Sequence, residues 1–499
     1  MRIVFVHFNF ESLAIECLSA SLIRAGHQTS LVFRVAGRPE MEGRSSPDFL
    51  RSIASDVASI KPGLIAFSVL SDQYPLISDV AKTIRAMAKD VPIILGGIHP
   101  TSVPDVVIRE DFVDYLCVGD GEEAIVELAH ALEAGSDTAS IQNIWSKDRG
   151  IVIRNPPRHL NCDLDSFPLP DKDMFFRVSR GMIVDYATFS SRGCLYSCSY
   201  CYNSMLKSAY AGRGAFYRRR SVGHLIEELV AAKQKYGIRS VFFIDDIFCG
   251  DKDFLNEFVS KYKEFVRLPF SCLAFPHPEI TNEYTLGLLK DAGCVYVSLG
   301  VQSLNARIRN EILKRPGSND DIHQALLALK KSGIFTNVEL MVGLPTQSRE
   351  DIIECIRFFN ENRPDALVVY WLRHYPGTEI ARYLKAASGD AVSDAVQAYA
   401  PFSEGGSTYD AEIAQLVNLV LLSNILNKYI VDFCLKERIY RFFPGCNPVL
   451  MRFNTVFGLL RRHLFFSRLG YTLILRNIVV TCRWRIGHFF SRHVTDRRE

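Results

Sequence analysis

The first 130 residues alternate short apolar runs with segments whose apolar positions recur at helical spacing. The runs predict five β-strands, and the segments between them predict four amphipathic helices. This alternation is typical of a doubly wound parallel sheet, which binds ligands in the crevice beyond the carboxyl ends of its strands. The predicted strands are Arg2–His7, Leu31–Phe33, Leu64–Val69, Ile93–Leu95 and Tyr115–Val118, and the predicted helices are Ile15–Ile23, Ile53–Ala58, Ile77–Met87 and Ala124–Leu132.

A second region with the same alternation follows a proline-rich stretch, residues 151–185, which predicts a linker between residues 1–150 and 186–385. The second region shows six strand patterns and five helical patterns. Six units are too few for a closed eight-fold barrel, so we expect an open partial (β/α)6 TIM-type barrel whose site lies at the carboxyl ends of its strands. Its predicted strands are Tyr186–Ser190, Ser240–Ile244, Phe270–Leu273, Val295–Val301, Asn337–Val342 and Ala366–Tyr370, and its predicted helices are Val222–Tyr236, Lys252–Lys263, Asn282–Ala292, Ser318–Ser332 and Arg349–Asn360.

The C-terminal region, residues 386–499, is predicted to be helical and basic. The whole chain carries 58 Lys and Arg against 55 Asp and Glu, which gives no reason to expect a nucleic-acid partner. From Lys436 onward, however, thirteen Lys or Arg residues face only three acids, among many apolar side chains. Two interpretations stay open: a capping helical domain, or an interfacial surface for anionic lipid or a lipid-like substrate.

Composition and the first residues bear on location. With 48% apolar and 23% charged residues the chain reads as a packed globular protein, and its thirteen cysteines predict thiols or metal ligands rather than disulfides. The first residues do not resemble a signal peptide, and arginines interrupt every apolar stretch of the tail. We therefore expect a cytoplasmic protein, with a peripheral contact on the inner membrane face if the tail is interfacial.

Three cysteines, Cys194, Cys198 and Cys201, lie within eight residues just after the first predicted strand of the second region. Their thiolates are close enough in sequence to converge on one iron–sulfur cluster. Three ligands to a cluster of four irons leave one iron open, as a catalytic metal site requires. The alternative is structural zinc, which would need a fourth ligand, and the other ten cysteines offer no second paired cluster.

This segment resembles the radical S-adenosylmethionine (SAM) superfamily, whose signature is C-x3-C-x2-C with an aromatic residue, here Tyr200, before the last cysteine. The resemblance implies that the three cysteines hold a [4Fe–4S] cluster, that SAM chelates the open iron, and that the reduced cluster cleaves SAM to methionine and a 5′-deoxyadenosyl radical. Asp245 ends a predicted strand and is expected to face a ligand. Gln302 and Ser303 are expected to contact SAM, although the family often has Glu where Gln302 and Gln347 stand.

The first region resembles the cobalamin-binding (B12) domain that precedes the barrel in one large radical SAM class. We expect paired glycines after strands to let the backbone approach a bulky ligand, so that Gly97→Val would block cobalamin sterically. The Asp-x-His-x-x-Gly signature that supplies a histidine to cobalt is absent from the sequence, so base-off binding without a protein imidazole is expected. The expected cobalamin-binding residues are Ser68, Gly96, Gly97, His99, Gly119, Gly121 and Glu122.

Three functions follow from the resemblance. The first is cobalamin-dependent methylation of an unactivated carbon; the second is oxidative cyclisation or rearrangement of a tetrapyrrole-like or lipid-like substrate. The third is a cobalamin-binding sensor without catalysis, which the intact cysteine motif disfavours. The expected partners are a small-molecule or lipid-like substrate and an electron donor such as a flavodoxin or ferredoxin, with no nucleic acid.

Overall fold

The computed structural model describes residues 1–41, 43–178, 185–373 and 375–388, together with residues 416–417, 419–421, 423 and 428–438. The expectation for the basic tail concerns residues 436–499, nearly all of which lie outside the described part of the chain. No helix among the described residues is both long and apolar enough to cross a membrane.

The N-terminal region folds into a seven-stranded sheet with strand order β2-β1-β3-β4-β5-β6-β7. Strands β1 to β5 are parallel, as predicted, and helices cover both faces. The last two strands are an antiparallel hairpin that the hydropathy pattern did not predict, and they carry the sheet past residue 150, where the sequence placed the end of the domain. The strands are β1 (Arg2–Phe8), β2 (Gln28–Arg34), β3 (Leu64–Ser68), β4 (Ile93–Gly96), β5 (Tyr115–Cys117), β6 (Ile144–Asp148) and β7 (Ile151–Arg154). The helices are α1 (Leu13–Arg24), α2 (Arg38–Met41), α3 (Pro47–Ile60), α4 (Tyr74–Met87), α5 (Ile98–Ser102), α6 (Pro104–Val107) and α7 (Glu122–Ala134), with a 3₁₀ turn at Ser71–Gln73.

The second domain is a six-stranded parallel sheet whose strands pair in chain order, β8-β11-β12-β13-β14-β15, and do not close into a barrel. This confirms the open partial barrel. A two-residue ribbon, β9 with β10, stands beside the cysteine segment. The strands are β8 (Asp185–Thr188), β9 (Ser191–Arg192), β10 (Arg218–Arg219), β11 (Ser240–Phe243), β12 (Phe270–Ala274), β13 (Cys294–Gln302), β14 (Phe335–Val342) and β15 (Ala366–Trp371). The helices are α8 (Asp173–Phe176) in the linker, α9 (Tyr202–Ala209), α10 (Val222–Tyr236), α11 (Lys252–Lys261), α12 (Glu283–Ala292), α13 (Asn319–Ser332), α14 (Arg349–Glu361), α15 (Glu379–Ser388) and α16 (Lys428–Lys436), with π-helical turns at Tyr262–Val266 and Ile308–Ile312 and a 3₁₀ turn at Leu164–Ser166.

The barrel helices begin and end where local chemistry predicts. Helices α13 and α14 start with capping boxes, in which Ser318 and Ser348 accept from the backbone while the aspartate three residues on reaches back. Helix α10 ends at Gly237, whose left-handed φ of 62° suits glycine. The outward side chains of the strands pack against these helices in one continuous apolar core.

A buried lysine joins the linker to both domains. Lys172 is 1% exposed, and its Nζ lies 2.7 Å from a carboxylate oxygen of Glu11 and 2.8 Å from one of Glu16. The same Nζ donates to the carbonyl oxygen of Ala187 in β8 at 2.7 Å. Burial alone would lower the pKa of Lys172, but the two carboxylates raise it above its ordinary value. The lysine therefore stays charged at the joint between the domains.

Candidate active site

The cysteine segment lies at the carboxyl edge of the barrel, between β9 and α9. Cys198 is buried, whereas Cys194 and Cys201 are half-buried. Ser199 ties the segment to the π-helical turn after β13, because its Oγ donates to the carbonyl of Ile312 at 2.6 Å. Before the first cysteine, Gly193 has φ 81°, and a Cβ there would lie 2.3 Å from a backbone oxygen, so only glycine fits. The local backbone thus holds the three thiols on one loop.

Burial disfavours the negatively charged form of two of these thiols. Burial raises the pKa of Cys194 to about 11 and that of Cys201 to about 12, so their thiolates need a positive partner. Among the described residues, no three Cys, His, Asp or Glu side chains converge closely enough to hold one metal ion. A cluster binds each thiolate through a different iron.

A buried arginine that the sequence did not predict lies next to the thiol of Cys198. Arg315 is 8% exposed, and its Nη1 lies 3.8 Å from Sγ of Cys198 and 3.4 Å from the hydroxyl of Tyr200. Its Nη2 donates to the carbonyl of Gly300, and its guanidinium lies 4.0 Å from the ring centre of Phe275. The local sequence Lys-Arg-Pro-Gly predicts only a turn, so no periodic signal could have identified this residue.

Asp245 supports the loop that precedes the cysteines. Its carboxylate accepts from the backbone NH of Ser190 at 2.9 Å and from the hydroxyls of Ser190 and Ser191. These are the contacts the structure shows, and a ligand contact for Asp245 stays a prediction. The neighbouring Asp246 accepts from Asn203 of α9 at 2.7 Å, and burial raises its pKa to about 6.

The residues expected to contact SAM lie at the end of β13, next to Arg315. Gln302 sits at an irregularity of the sheet, with φ 68°, and is 9% exposed. Its amide nitrogen lies 3.1 Å from where a Cβ on Gly300 would stand. Ser303 is buried, and its carbonyl accepts from Arg309. Gln347 instead caps the turn after β14 by accepting from the NH of Gly343.

The paired glycines at the edge of the first domain's sheet are packed against other protein atoms. Gly97 has φ 98°, and a Cβ there would lie 2.8 Å from the backbone nitrogen of Val69. Gly96 packs against Cys117, and Ser68 ends β3 beside Gly97. The side chain introduced by Gly97→Val would therefore meet the backbone of Val69 first, and not cobalamin as expected. Valine there would distort the domain itself before it could test cobalamin binding.

The loop after β5 contacts the second domain. Gly119 has φ 90°, and a Cβ there would lie 1.8 Å from the hydroxyl oxygen of Tyr210, at the end of α9. Gly121 packs against Leu18 of α1, and Glu122 forms an ion pair with Arg192 of β9. The shown contacts of these three residues are with protein, and their contact with a cofactor stays a prediction.

The two histidines at the edge of the first sheet are buried and neutral. His99 is 1% exposed, its Nδ1 lies 3.1 Å from the hydroxyl of Ser71, and its ring lies against Tyr74. His7 lies between Phe10 and Phe175. Burial lowers the pKa of both to about 4. The His99 ring is thus enclosed by protein, and both its contact with a cofactor and the expected absence of a protein imidazole on cobalt stay predictions.

These histidines predict acid sensitivity of the first domain. Each pKa is lower in the folded state than in the unfolded chain, so protons bind preferentially to the unfolded chain between about pH 6.5 and 4. We expect the free energy of unfolding to be fully present above pH 6.5 and to fall by about 1.4 kcal/mol per pH unit per histidine below it. Urea unfolding at pH 7 and pH 5, followed by tryptophan fluorescence, measures the loss.

The control for that measurement is His159→Gln, which alters an exposed histidine of the linker and should leave the pH dependence unchanged. His7→Leu should reduce the slope, because it removes one of the histidines whose pKa burial lowers, while His99 and His27 remain. A pH dependence that survives unaltered in His7→Leu would contradict the assignment.

Each of the two domains matches a known protein family. Residues 188–359 match the radical SAM superfamily, and residues 3–129 match the B12 binding domain. An uncharacterized methyltransferase of Pyrococcus horikoshii is 26% identical over 367 residues, 73% of this chain and 76% of the relative. An anaerobic magnesium-protoporphyrin IX monomethyl ester cyclase of Rubrivivax gelatinosus is 22% identical over 399 residues, 75% of this chain and 68% of the relative.

Among solved structures, the radical SAM methyltransferase TsrM of Kitasatospora setae superposes with a TM-score of 0.69 at 17% identity, covering 97% of this chain and 99% of its own. Structures of that enzyme contain tryptophan with a SAM analogue, or cobalamin with a [4Fe–4S] cluster. At this identity the likeness shows the fold alone. Together with the family matches, the fold and the three-cysteine loop define a radical SAM enzyme. More particularly, the chain contains both a radical SAM domain and a B12 binding domain.

Proposed function

We propose that the protein is a cobalamin-dependent radical SAM methyltransferase that alkylates an unactivated carbon of a small molecule. One observation carries the proposal. The half-buried thiol loop of the barrel and the strand ends of the B12 domain face each other within one chain, joined by Tyr210 and Arg192. A substrate between the two domains would be reachable by both cofactors.

The residues present fit these cofactors. Cys194, Cys198 and Cys201 would hold a [4Fe–4S] cluster, and Gln302 with Ser303 would bind SAM at the adjacent strand end. The loops at Ser68, Gly97 and His99 would line the cobalamin crevice. When bound, the cluster supplies the electron that cleaves SAM to a hydrogen-abstracting 5′-deoxyadenosyl radical, and cobalamin carries the methyl group.

The chain's own groups prepare the site for that chemistry. Arg315 places a positive charge beside Cys198 and holds Tyr200, and this charge would complement a negatively charged cluster. The apolar rings around it, Phe275 stacked on Tyr196 at 4.3 Å, exclude water from the cluster side. Ile244, directly after β11, and Tyr370, within β15, have exposed apolar side chains that would line a substrate space.

Similarity to the cyclase of Rubrivivax gelatinosus favours one second candidate, an oxidative cyclisation. Products separate the two. The enzyme is reconstituted anaerobically with cluster and hydroxocobalamin and supplied with SAM, dithionite and candidate substrates. Methyl transfer yields both S-adenosylhomocysteine and 5′-deoxyadenosine, whereas the oxidative route yields 5′-deoxyadenosine without S-adenosylhomocysteine. Failure to take up hydroxocobalamin would overturn the cobalamin-dependent proposal.

Arg315 provides a test of the cluster site that does not need the substrate. A positive charge stabilises the reduced, more negative cluster, so Arg315→Met should lower the reduction potential. We expect a shift of about 60 mV, the value of a tenfold change in a one-electron equilibrium. Redox titration followed by electron paramagnetic resonance measures it.

The matched control is Lys314→Met, which removes the preceding cation, 52% exposed and paired with Glu379. Solvent screens an exposed charge, so this variant should keep the wild-type potential. Equal potentials for both variants would contradict the role of Arg315.

Two partners belong to the proposal as well. A flavodoxin or ferredoxin would supply the electron, and the basic residues beyond Lys436 would hold the protein on anionic lipid. Co-sedimentation of the full chain with anionic and zwitterionic vesicles tests the lipid contact, and salt should release the protein in part. Equal sedimentation with both vesicles would contradict it.

A further inference from the structure

We infer that Arg192 and Tyr210 are positioning residues that clamp the cysteine segment onto the loop after β5, residues 119–122, and so set the geometry between the two cofactor sites. This inference rests on the proposed function, because it assigns a purpose to the contact between the domains. In this inference, the Gly119–Glu122 loop of the first domain holds the cysteine segment of the barrel in place.

The first half of the clamp is a pair of arginines facing two carboxylates. Arg192 in β9 and Arg218 in β10 are direct partners in the antiparallel ribbon. Arg192 binds Glu122 at 2.5 Å and lies 3.7 Å from Asp120, while Arg218 binds Asp120 at 2.9 Å. All four side chains are at least partly buried, and Glu122 and Arg218 are almost fully so.

The two arginines and the two carboxylates stabilise each other's charges. Two neighbouring guanidinium groups repel, and each is stabilised by a carboxylate from the other domain. Burial alone would raise the pKa of Glu122, but Arg192 and Arg218 lower it below its ordinary value. Removing one partner of such a buried pair leaves the other charge uncompensated, which is strongly destabilising. The domains are therefore held in one relative position.

The second half of the clamp is a phenol at the far end of the cysteine segment. Tyr210 is 3% exposed, and its hydroxyl accepts from the NH of Asp120 at 2.7 Å and from the side chain of Asn143 at 3.3 Å. The ring fills the space that a side chain on Gly119 would need. Only glycine at position 119 leaves room for the Tyr210 side chain, and this fit allows close contact between the two domains.

The two contacts bracket the thiols. Arg192 precedes Cys194 by two residues, and Tyr210 ends the helix that starts directly after Cys201. Both ends of the cluster-binding segment are thus fixed to the same four-residue loop of the B12 domain. If these contacts were lost, the domains could separate and water could enter the site. A substrate radical would then form too far from the methyl group for transfer.

Hydrogen exchange of the full-length, cluster-loaded enzyme tests the clamp directly. In Arg192→Met, amides of residues 119–122 and 202–210 should exchange about 100-fold faster, because a buried charge loses its partner. The matched control is Arg154→Met, which breaks an exposed pair with Asp105 inside the first domain and should leave those amides unchanged. In the presence of SAM and dithionite, Arg192→Met should still form 5′-deoxyadenosine while its S-adenosylhomocysteine falls about tenfold.

Two further variants distinguish the clamp from general loss of stability. Adding Glu122→Gln to Arg192→Met removes the unpaired carboxylate, so exchange should fall back to within about tenfold of the wild type. Tyr210→Phe removes one oxygen and should speed exchange at Asp120 even if Arg192→Met does not fold. Wild-type exchange in both Arg192→Met and Tyr210→Phe would overturn the inference. Since exchange is independent of the reaction catalysed, that outcome is separate from failure of the proposed function.

Discussion

Replacing Cys198 by alanine should abolish the iron–sulfur absorbance and all cleavage of SAM, and we expect the same for Cys194 and Cys201. Each thiolate is one of three ligands on a single loop, so loss of any one leaves a cluster with a second open iron. Cys198 is 6% exposed, and the loss of one sulfur atom there should cost only about 1 kcal/mol of folding stability. Iron content, the absorbance spectrum and 5′-deoxyadenosine formation under dithionite measure the effect.

The matched control is Cys355→Ala in α14, where the cysteine is 7% exposed and packs in the barrel core. This variant should keep its iron and its activity, because the thiol serves packing alone. A variant lacking all three cysteines of the segment that still cleaves SAM would refute the cluster assignment.

Replacing Lys172 by methionine should cause a large loss of folding stability. Methionine keeps the apolar stem but leaves Glu11 and Glu16 without their shared cation, and Glu16 is fully buried. Breaking a buried pair in this way costs about 3–5 kcal/mol. Chemical denaturation followed by tryptophan fluorescence should show a lower midpoint, with the linker and both domains affected together.

A comparison and a rescue make this result specific. Lys235→Met also removes a lysine that contacts the linker, but that lysine is 58% exposed beside Asp173, so the loss should stay below about 1 kcal/mol. Adding Glu16→Gln to Lys172→Met should recover part of the stability, because burial disfavours the charged form of Glu16, raising its pKa well above its ordinary value, and the amide carries no charge. Equal losses for Lys172→Met and Lys235→Met would contradict the argument.

Most of the architecture could be predicted because it depends on local patterns. Each parallel strand is a short buried run, each helix has a continuous apolar face, and caps such as Ser348 are read within three residues. The hairpin of β6 and β7 escaped prediction because its residues are mixed in polarity and half-exposed. A tertiary partner, β5, makes it a strand pair.

The site was predicted only in part, for the same physical reason. The cysteine spacing is a local feature, so the ligands of the cluster can be identified without a structure. Arg315 is 117 residues from Cys198 in sequence, and no pattern relates the two. The glycines illustrate the other limit: the sequence shows that Gly97 and Gly119 lack side chains, but not which group occupies the space.

The sequence by itself determined the two parallel α/β domains, the three-thiol segment and, by resemblance, the radical SAM and B12 binding families, since these depend on periodicity and short spacings. Only the tertiary structure decided that Val69 and Tyr210 occupy the space beside the glycines and that Lys172 joins the domains. It also decided that Glu122 meets Arg192, 70 residues away. These contacts join residues far apart in sequence, and the packing of whole domains brings them together. Such contacts produce no periodic pattern in the sequence from which they could be predicted.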